Sequence, residues 1–231
     1  MTIKDSVIVI TGASRGIGKA MALRFSRLGA KVVLAARSVD VMQSFAHELA
    51  SPYLIVKTDV CSESSIHNMI NKTIRTFGRI DILVNNAGFV EARGVMDTSL
   101  KTWELTLKTN LTGTFITTRE ALRYMKKTGG KIINIASTAG TGPRPGWCAY
   151  AASKAGVINF SMSIAKELEL YNIKVFCLCP AGTATDLRKK LVPDEDPTTI
   201  MQPEDVVNVV EYCLTDEADV IESQPIIIRV R

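Results

Sequence analysis

Short runs of four to six apolar residues recur along the chain with no polar residues alternating between them. Strands that are covered on both faces of a parallel sheet have this pattern, whereas half-exposed strands alternate apolar and polar positions. The pattern predicts seven strands, at Val7–Ile10, Lys31–Ala36, Tyr53–Val56, Ile80–Val84, Lys131–Ala136, Ile173–Cys179 and Ile226–Val230.

Longer stretches between these runs are predicted to be helical, because Gly29 follows the first stretch and Pro203 opens the last. The predicted helices are Gly18–Leu28, Val39–Leu49, Ser64–Phe77, Leu100–Lys126, Ala149–Leu170 and Pro203–Leu214. Alternating strands and helices with short connections favour right-handed crossovers, and hence a doubly wound α/β fold with helices on both faces of the sheet. No linker divides the chain, so one domain over residues 1–231 is expected.

Two segments read as irregular loops. Thr141–Gly146 is rich in proline and glycine, and Thr183–Gln202 holds three acidic residues between two prolines. We expect the second segment to be an exposed flap, residues 183–202. Both segments follow the carboxyl ends of predicted strands, where open α/β sheets bind their ligands.

Composition excludes several classes of protein. The chain is 46% hydrophobic and 22% charged, which favours a large buried core over disorder. No apolar run approaches the roughly 18 residues that cross a bilayer, and the amino terminus lacks a secretory pattern. The net charge of +5 arises entirely in residues 1–115. This mild positive charge suits an anionic small ligand better than a polynucleotide, and the sequence contains no motif typical of nucleic-acid binding.

Cysteine and histidine usage argues against disulfides and metal sites. The five cysteines are an odd number in apolar surroundings, and the only histidines are His47 and His67. No pair of cysteines has the spacing of a zinc site. We therefore expect no metal, and a reducing cytoplasmic location.

A glycine-rich turn follows the first predicted strand. The sequence TGASRGIG, which spans Thr11–Gly18, leads directly into a helix. Glycines at this junction let the backbone turn tightly, and the helix amino terminus presents free N–H groups to a pyrophosphate. The turn is predicted to bind a dinucleotide through Gly12, Ser14, Arg15, Gly16, Ile17 and Gly18. A glycine turn without a ligand is the alternative.

Residues at the end of the second predicted strand indicate which dinucleotide is bound. An acidic residue in this place would hold the ribose 2′-hydroxyl of NAD(H), but the chain has Ala36 followed by Arg37. A guanidinium can bind a 2′-phosphate bidentately, and Arg15 is a second cation that could reach it. The sequence predicts NADP(H) in preference to NAD(H), unless both arginines are ordinary surface residues.

Three residues around the fifth predicted strand form a candidate catalytic group. Tyr150 and Lys154 are four residues apart and therefore share one helix face. A neighbouring ammonium is expected to lower the phenol pKa from its ordinary value of about 10. Ser137, at the end of the strand, could hold a substrate oxygen facing the same phenol.

Taken together, these motifs resemble the short-chain dehydrogenase/reductase family of the single-domain, Rossmann-type kind, and members similar to 3-oxoacyl-[acyl-carrier-protein] reductases. The resemblance spans nearly the whole chain. It rests on the glycine turn, Asp59-Val60, the run Asn85-Asn86-Ala87-Gly88, and the residues Asn110, Ser137, Tyr150 and Lys154.

The resemblance implies roles for these positions. Asp59 and Val60 would contact the adenine, and Asn86, Ala87 and Gly88 would line the cofactor ribose, with Asn85 packed beside the cofactor. Tyr150 would transfer a proton to or from the substrate oxygen, and Ser137 would polarise the carbonyl. Lys154 would bind the nicotinamide ribose, and Asn110 would hold a water that relays protons to it.

Two departures from the family pattern concern the sixth strand and the carboxyl terminus. Pro180, Thr183 and Thr185 stand where the family contacts the nicotinamide carboxamide, but Ala181 replaces an expected glycine, which would be strained at positive φ. The tail Pro225–Arg231 replaces a glycine-rich segment that joins subunits in many tetramers. A homodimer or homotetramer is still expected through the helices at 100–126 and 149–170.

The substrate is left open among 3-oxoacyl thioesters, sugars, steroids and small ketones. Its pocket is predicted to involve Phe89, Val90, Ala139, Arg144, Trp147 and the flap. The first hypothesis is an NADP(H)-dependent oxidoreductase that transfers hydride between nicotinamide and a carbonyl or secondary alcohol. The alternative is a regulator or scaffold that senses NAD(P) without chemistry, although that class is expected to lack a catalytic residue.

Overall fold

A computed structural model describes residues 2–230, so that Met1 and Arg231, the two ends of the expected domain, lie outside it. Seven strands form one sheet in which every neighbouring pair is parallel. They are β1 (Val7–Thr11), β2 (Lys31–Ala36), β3 (Tyr53–Lys57), β4 (Ile82–Asn85), β5 (Gly130–Ile135), β6 (Ile173–Pro180) and β7 (Pro225–Ile228). The doubly wound fold predicted from the sequence is confirmed.

Helices connect the strands and cover the sheet. They are α1 (Gly16–Arg27), α2 (Val39–Phe45), α3 (Glu63–Phe77), α4 (Leu100–Leu107), α5 (Gly113–Met125), α6 (Cys148–Leu168), α7 (Asp186–Leu191) and α8 (Pro203–Cys213). Buried side chains of α1, α2 and α8 pack on one face of the sheet. Those of α3, α5 and α6 pack on the other.

Both faces of the sheet are buried, and this explains the continuous apolar runs. Within β1, Ile8 and Ile10 belong to the first apolar layer, while Val7 and Val9 belong to the second. Successive side chains of a strand point to opposite faces, so each face of a fully covered strand must be apolar.

The strand order is β3-β2-β1-β4-β5-β6-β7. The chain therefore winds in one direction from β1 to β3 and in the other from β4 to β7. This reversal opens a crevice at the carboxyl ends of β1 and β4, which is where ligands bind in open α/β sheets. Among residues 2–230, none of the helices combines the length and apolar character that crossing a bilayer would require.

Three predicted elements differ in the structure. The helix expected over Leu100–Lys126 is divided into α4 and α5 by a wider helical turn at Lys108–Thr112. The helix expected over Val39–Leu49 ends at Phe45 and continues as a tighter turn. The flap is not wholly irregular, because it contains α7.

The flap has a closed base. Thr183 pairs with Met201 in an isolated parallel bridge, and the Ala184 amide donates to the Met201 carbonyl at 2.7 Å. Met201 is buried in the first apolar layer. The two ends of the flap are therefore joined to each other and fixed to the core, while α7 lies between them over the crevice.

Candidate active site

The crevice forms a cavity of about 440 Å³. Of the residues predicted to bind the dinucleotide or act in catalysis, Gly18 and Asn110 lie behind its wall. The others line it: Gly12, Ser14, Arg15, Gly16, Ile17, Arg37, Asp59, Val60, Asn86, Ala87, Gly88, Ser137, Tyr150, Lys154, Pro180, Thr183 and Thr185. The structure thus brings together residues as far apart in the sequence as Gly12 and Thr185.

The glycine turn brings the backbone close to its neighbours. A Cβ on Gly18 would lie 2.3 Å from the Gly12 carbonyl oxygen, and one on Gly12, whose φ is +67°, would lie 2.8 Å from the Ala87 Cα. A Cβ on Gly16 would meet the Thr185 side chain. Larger residues at these positions would displace backbone, so the turn needs glycine for close approach.

The amino terminus of α1 presents free donors to the cavity. Arg15 occupies the N-cap position without a side-chain cap, and the first turn holds no acidic residue. By contrast, Ser62, Ser99 and Thr185 cap α3, α4 and α7 through their hydroxyls. Uncapped N–H groups with the positive end of the helix dipole favour a phosphate.

Two cations stand at this end of the cavity. Arg15 and Arg37 are both exposed, and neither forms an ion pair within residues 2–230. β2 ends in Ala35 and Ala36, so the strand end carries no carboxylate. Asp59 also lines this region, and its Oδ1 accepts a hydrogen bond from the Cys61 amide at 2.9 Å.

Thr11 fixes the loop after β4. Its hydroxyl oxygen accepts hydrogen bonds from the Asn86 and Ala87 amides at 3.0 and 3.1 Å. The Asn86 side chain donates to the Thr11 carbonyl at 2.9 Å. Asn85 lies behind the cavity wall, where its side-chain amide donates to Asn134 and Thr118, and its place beside the cofactor stays a prediction.

Tyr150, Ser137 and Lys154 meet at the carboxyl ends of β5 and β6. Ser137 is the side chain whose hydrogen bonding to Tyr150 lowers the phenol pKa. Lys154 lies one turn along α6, with its Nζ 5.7 Å from the centre of the Tyr150 ring. The Lys154 ammonium donates to the Ile135 carbonyl at 2.7 Å, which anchors it beneath the phenol.

Burial governs the titration of this group. It raises the pKa of Tyr150 above its ordinary value, and the hydrogen bond with Ser137 only partly offsets the rise. The expected lowering of the Tyr150 pKa by Lys154 is therefore wrong for this structure. Burial also lowers the pKa of Lys154 to about 8, although the thiols of Cys177 and Cys179 oppose this shift. Both effects have one cause, since a low-dielectric site disfavours charge.

Asn110 lies within the wide turn between α4 and α5 and is almost fully buried. Its side chain accepts from the Phe89 amide at 2.7 Å and donates to the Phe89 carbonyl and to Ser153 Oγ. Ser153 Oγ in turn donates to the Tyr150 carbonyl at 2.7 Å. Asn110 thereby joins the loop after β4 to the catalytic helix.

The segment after β6 adopts an unstrained backbone at Ala181. In residues 2–230 the non-glycine residues with positive φ are Asp5 and Asn172, so the alanine meets no such penalty. The Ala181 amide donates to the Ile228 carbonyl at 2.9 Å. Thr183 donates to the Ala181 carbonyl, and Thr185 accepts from the Arg188 amide as the cap of α7.

Leu187 and Leu191 of α7 complete the cavity wall. The sequence predicted that the flap would line the pocket but did not single out either leucine. They are one helical turn apart. A signal was present, because Thr185 is followed by Asp186 and then by leucines four residues apart, which is the pattern of a capped short helix. Within the described range there is no group of three or more His, Cys, Asp or Glu side chains placed to hold a metal ion.

These features together fit a dinucleotide. The uncapped helix end and the close-packed glycines suit a pyrophosphate, and the unpaired arginines suit a further phosphate. At the opposite end, a phenol beside a hydroxyl and an ammonium can transfer a proton to an oxygen that lies between them.

Comparison with known proteins agrees with this geometry. The family model described as short chain dehydrogenase matches residues 6–196. The chain is 36% identical over 222 residues to a 3-oxoacyl-[acyl-carrier-protein] reductase from Synechocystis, covering 92% of this chain and 90% of the relative. It is 34% identical over 227 residues to the 3-oxoacyl-[acyl-carrier-protein] reductase FabG of Escherichia coli, covering 94% and 93%.

Solved structures show the same likeness. A short-chain dehydrogenase/reductase from Mycobacterium marinum has a TM-score of 0.92 at 30% identity, covering 98% of this chain and 95% of that one. A 7α-hydroxysteroid dehydrogenase complexed with NADH and a 7-oxo bile acid also has a TM-score of 0.92, at 26% identity, with 98% and 94% covered.

The chain belongs to the short-chain dehydrogenase/reductase family. It is accordingly an oxidoreductase of the hydride-transferring class, acting on a CH–OH or C=O group with a nicotinamide cofactor.

Proposed function

We propose that this protein is an NADP(H)-dependent reductase of carbonyl compounds, or dehydrogenase of the matching alcohols, with Tyr150 as its acid/base. The observation that carries the proposal is the meeting of Tyr150, Ser137 and Lys154 on the wall of the cavity that holds the glycine turn. A regulator or scaffold without chemistry would be expected to have lost one of these groups, yet all three are present together with Asn110.

The residues divide the work of carbonyl reduction. Ser137 and Tyr150 donate hydrogen bonds to the carbonyl oxygen and so polarise the bond. When bound, the nicotinamide supplies a hydride to the carbonyl carbon, and becomes oxidised as the carbonyl is reduced. Tyr150 gives its proton to the oxygen, which completes the alcohol.

Titration of the site suits reduction at neutral pH. Because burial raises the pKa of Tyr150, the phenol carries its proton and can act as an acid. Lys154, with a pKa near 8, is mostly protonated at pH 7 and can return a proton to the phenolate. We propose that the proton reaches Lys154 from solvent by a water held near Asn110.

A Tyr150→Phe variant tests the acid role. We expect turnover of NADPH with a panel of ketones to fall by at least about 100-fold, while NADPH affinity stays within a few-fold of the wild type. Tyr212→Phe is the matched control, since this tyrosine is exposed on α8. Tyr150→Phe enzyme with wild-type turnover would overturn the proposal.

Cofactor preference depends on Arg37. An Arg37→Asp variant is expected to bind NADPH about 10- to 100-fold more weakly and NADH no worse, because a charge-assisted contact to the 2′-phosphate becomes a repulsion. Arg75→Asp on the exposed surface of α3 carries the same charge change away from the cavity. An unchanged ratio of NADPH to NADH affinity would refute the preference.

The substrate class is proposed from the relatives, and the assembly from the exposed surface of the helices. The relatives named above are 3-oxoacyl-[acyl-carrier-protein] reductases, so 3-oxoacyl thioesters are proposed as one substrate class beside sugars, steroids and small ketones. A homodimer or homotetramer is proposed because Leu100, Leu105 and Phe115 on α4 and α5 are exposed apolar side chains. The five cysteines are free thiols, which is compatible with a cytoplasmic location.

A further inference from the structure

The cavity wall includes a group of apolar side chains and, against the Trp147 ring, the cation Arg144. Phe89 and Val90 from the loop after β4, Trp147, and Leu187 and Leu191 of α7 all line the cavity. Arg144 lines it as well and is exposed. A ligand that reached Trp147 would therefore meet apolar side chains together with the positive charge of Arg144, while Asp186 and Arg188 of α7 also line the cavity.

Arg144 has no acidic partner. Within residues 2–230 it forms no ion pair, whereas Arg188, which also lines the cavity, is paired with Glu195 through an Nε–Oε2 distance of 2.6 Å. Arg93 on the neighbouring loop is paired with Glu91. Arg15 and Arg37 are at the phosphate-binding end. Lys154 is bonded to the Ile135 carbonyl beneath the phenol. Away from the phosphate-binding end, Arg144 is thus the exposed lining cation without an ion pair in the described residues.

The backbone around Arg144 is constrained. Pro143 and Pro145 flank it, and proline fixes its own φ and restricts the residue before it. The Trp147 amide donates to the Arg144 carbonyl at 3.1 Å, which closes a turn that contains Gly146 at φ +78°. Few backbone conformations remain to be lost when a ligand binds, so the backbone at this position is preorganised.

Trp147 links this cation to the catalytic phenol. The guanidinium carbon lies 5.6 Å from the Trp147 ring, and that ring lies 5.8 Å from the Tyr150 ring in an edge-to-face arrangement. A bridge to Arg93 holds the Trp147 backbone. Since the two separations are successive, at most about 11 Å divides the guanidinium from the phenol ring.

We propose that Arg144 binds a carboxylate of the substrate, and that the preferred substrates are oxo acids with an apolar spacer between ketone and carboxylate. This inference rests on the proposed function, because it places the ketone oxygen at Tyr150. The spacer lies against the Trp147 ring, and the carboxylate receives charge-assisted hydrogen bonds from the guanidinium. The cation–π contact holds Arg144 without neutralising it.

Matched substrate pairs test this inference. The probes are levulinate and a longer methyl-ketone acid, each beside its own methyl ester. For Arg144→Met we expect KM for the acids to rise about 10- to 100-fold with kcat within a few-fold, while KM for the esters changes little. Arg144→Lys should recover part of the loss, because it keeps the charge but not the bidentate geometry.

Arg93→Met is the control on the same rim, and it should change acids and esters by the same factor. Equal effects of Arg144→Met on acids and esters, or no effect on either, would overturn the inference. A wild type that prefers the esters to the acids would overturn it too.

A direct binding measurement separates this inference from the proposed function. In a Trp103→Phe background the fluorescence of Trp147 reports on its own surroundings, since the chain has two tryptophans. We expect saturable quenching by the acids that Arg144→Met weakens about 10-fold or more. If no ketone is reduced but this binding is seen, the reductase proposal fails and the anion site stands. If ketones are reduced but this binding is absent, the reductase proposal stands and the anion site at Arg144 fails.

Discussion

Lys154 is a charged group held where charge is unfavourable. Its side chain is almost fully buried and its ammonium has one hydrogen-bond partner from the backbone, the Ile135 carbonyl. Burial lowers its pKa from the ordinary 10.5 to about 8. Such a shift means that folding disfavours the protonated lysine, so the proposed proton relay is maintained at the expense of stability.

A Lys154→Met variant is predicted to lose activity and yet to be at least as stable as the wild type at pH 7. Below pH 8 both the folded and the unfolded lysine are protonated, and the folded state bears the full desolvation cost. Between pH 8 and 10.5 the unfolded chain binds the proton more tightly, so the wild-type free energy of unfolding rises with pH. The variant lacks this rise.

Urea denaturation of the cofactor-free protein measures the difference. Between pH 7 and 9.5 we expect the free energy of unfolding of the wild type to rise by about 1–2 kcal/mol relative to that of Lys154→Met. Lys72→Met, at an exposed position on α3, serves as the control for other titrating groups. A difference that stays flat across this range would contradict the buried, shifted lysine.

The spacing of Tyr150 and Lys154 predicted that the two side chains would share a helix face, but not how they would titrate. A shared face follows from 3.6 residues per turn and is a local property. The pKa of Tyr150 depends on how much water the folded chain excludes, to which β5, β6 and the loop after β4 all contribute. No local pattern carries that information.

At the scale of elements, the turn from β1 into α1 combines backbone geometry with electrostatics. The helix end is uncapped, and the glycines allow the loop after β4 to approach it. Gly18 shows why spacing matters, because a Cβ there would also lie 2.6 Å from Asn86 Nδ2. The same close packing serves both the stability of the turn and access to a phosphate.

A Gly18→Ala variant is predicted to lower the free energy of unfolding by about 1–3 kcal/mol, because the new methyl group must displace the Gly12 carbonyl. NADPH affinity should fall with it, since the displaced backbone forms the binding turn. Gly142→Ala is the matched control, with open space around its Cβ position and no positive φ. Thermal unfolding and NADPH titration of both variants would show the contrast; equal behaviour would contradict the packing argument.

Elements with strong periodicity were predicted well, and those that depend on distant partners were not. The seven strands follow directly from continuous apolar runs. The wide turn at Lys108–Thr112 interrupts a sequence that is helical by pattern, and there the Asn110 side chain bonds to Phe89, a partner 21 residues away. Helix α7 is short and exposed, so its apolar signal consists of two leucines only.

In the whole molecule, the candidate site and the buried ionic contacts that stabilise the fold lie at opposite edges of the sheet. The candidate site occupies the carboxyl edge of the sheet, whereas buried charges hold the amino edge together. Asp81 accepts from the Val7 amide at 2.8 Å and pairs with Arg79. Lys131, near the beginning of β5, donates to the carbonyl of Cys213, which ends α8, to the carbonyl of Thr215 just beyond it, and to Asp219. These contacts fix α8 to the sheet far from Tyr150.

Replacing Lys131 by Met is therefore predicted to reduce stability without altering the site. The change leaves two carbonyls at the end of α8 without their buried donor, which is expected to lower the free energy of unfolding by about 2–3 kcal/mol. For a chain of this length that corresponds to a fall in Tm of roughly 4–12 °C. NADPH affinity and kcat of the folded variant should equal those of the wild type.

Lys174→Met provides the matched control for this prediction. Lys174 lies on the neighbouring strand β6 and donates to the Asp219 carbonyl at 2.9 Å, but from an exposed position. Water can replace that donor, so the variant should lose less than about 1 kcal/mol. If both variants were equally stable, burial would not be what makes the Lys131 contacts matter. If Lys131→Met weakened NADPH binding while folded, the two edges of the sheet would be coupled rather than independent.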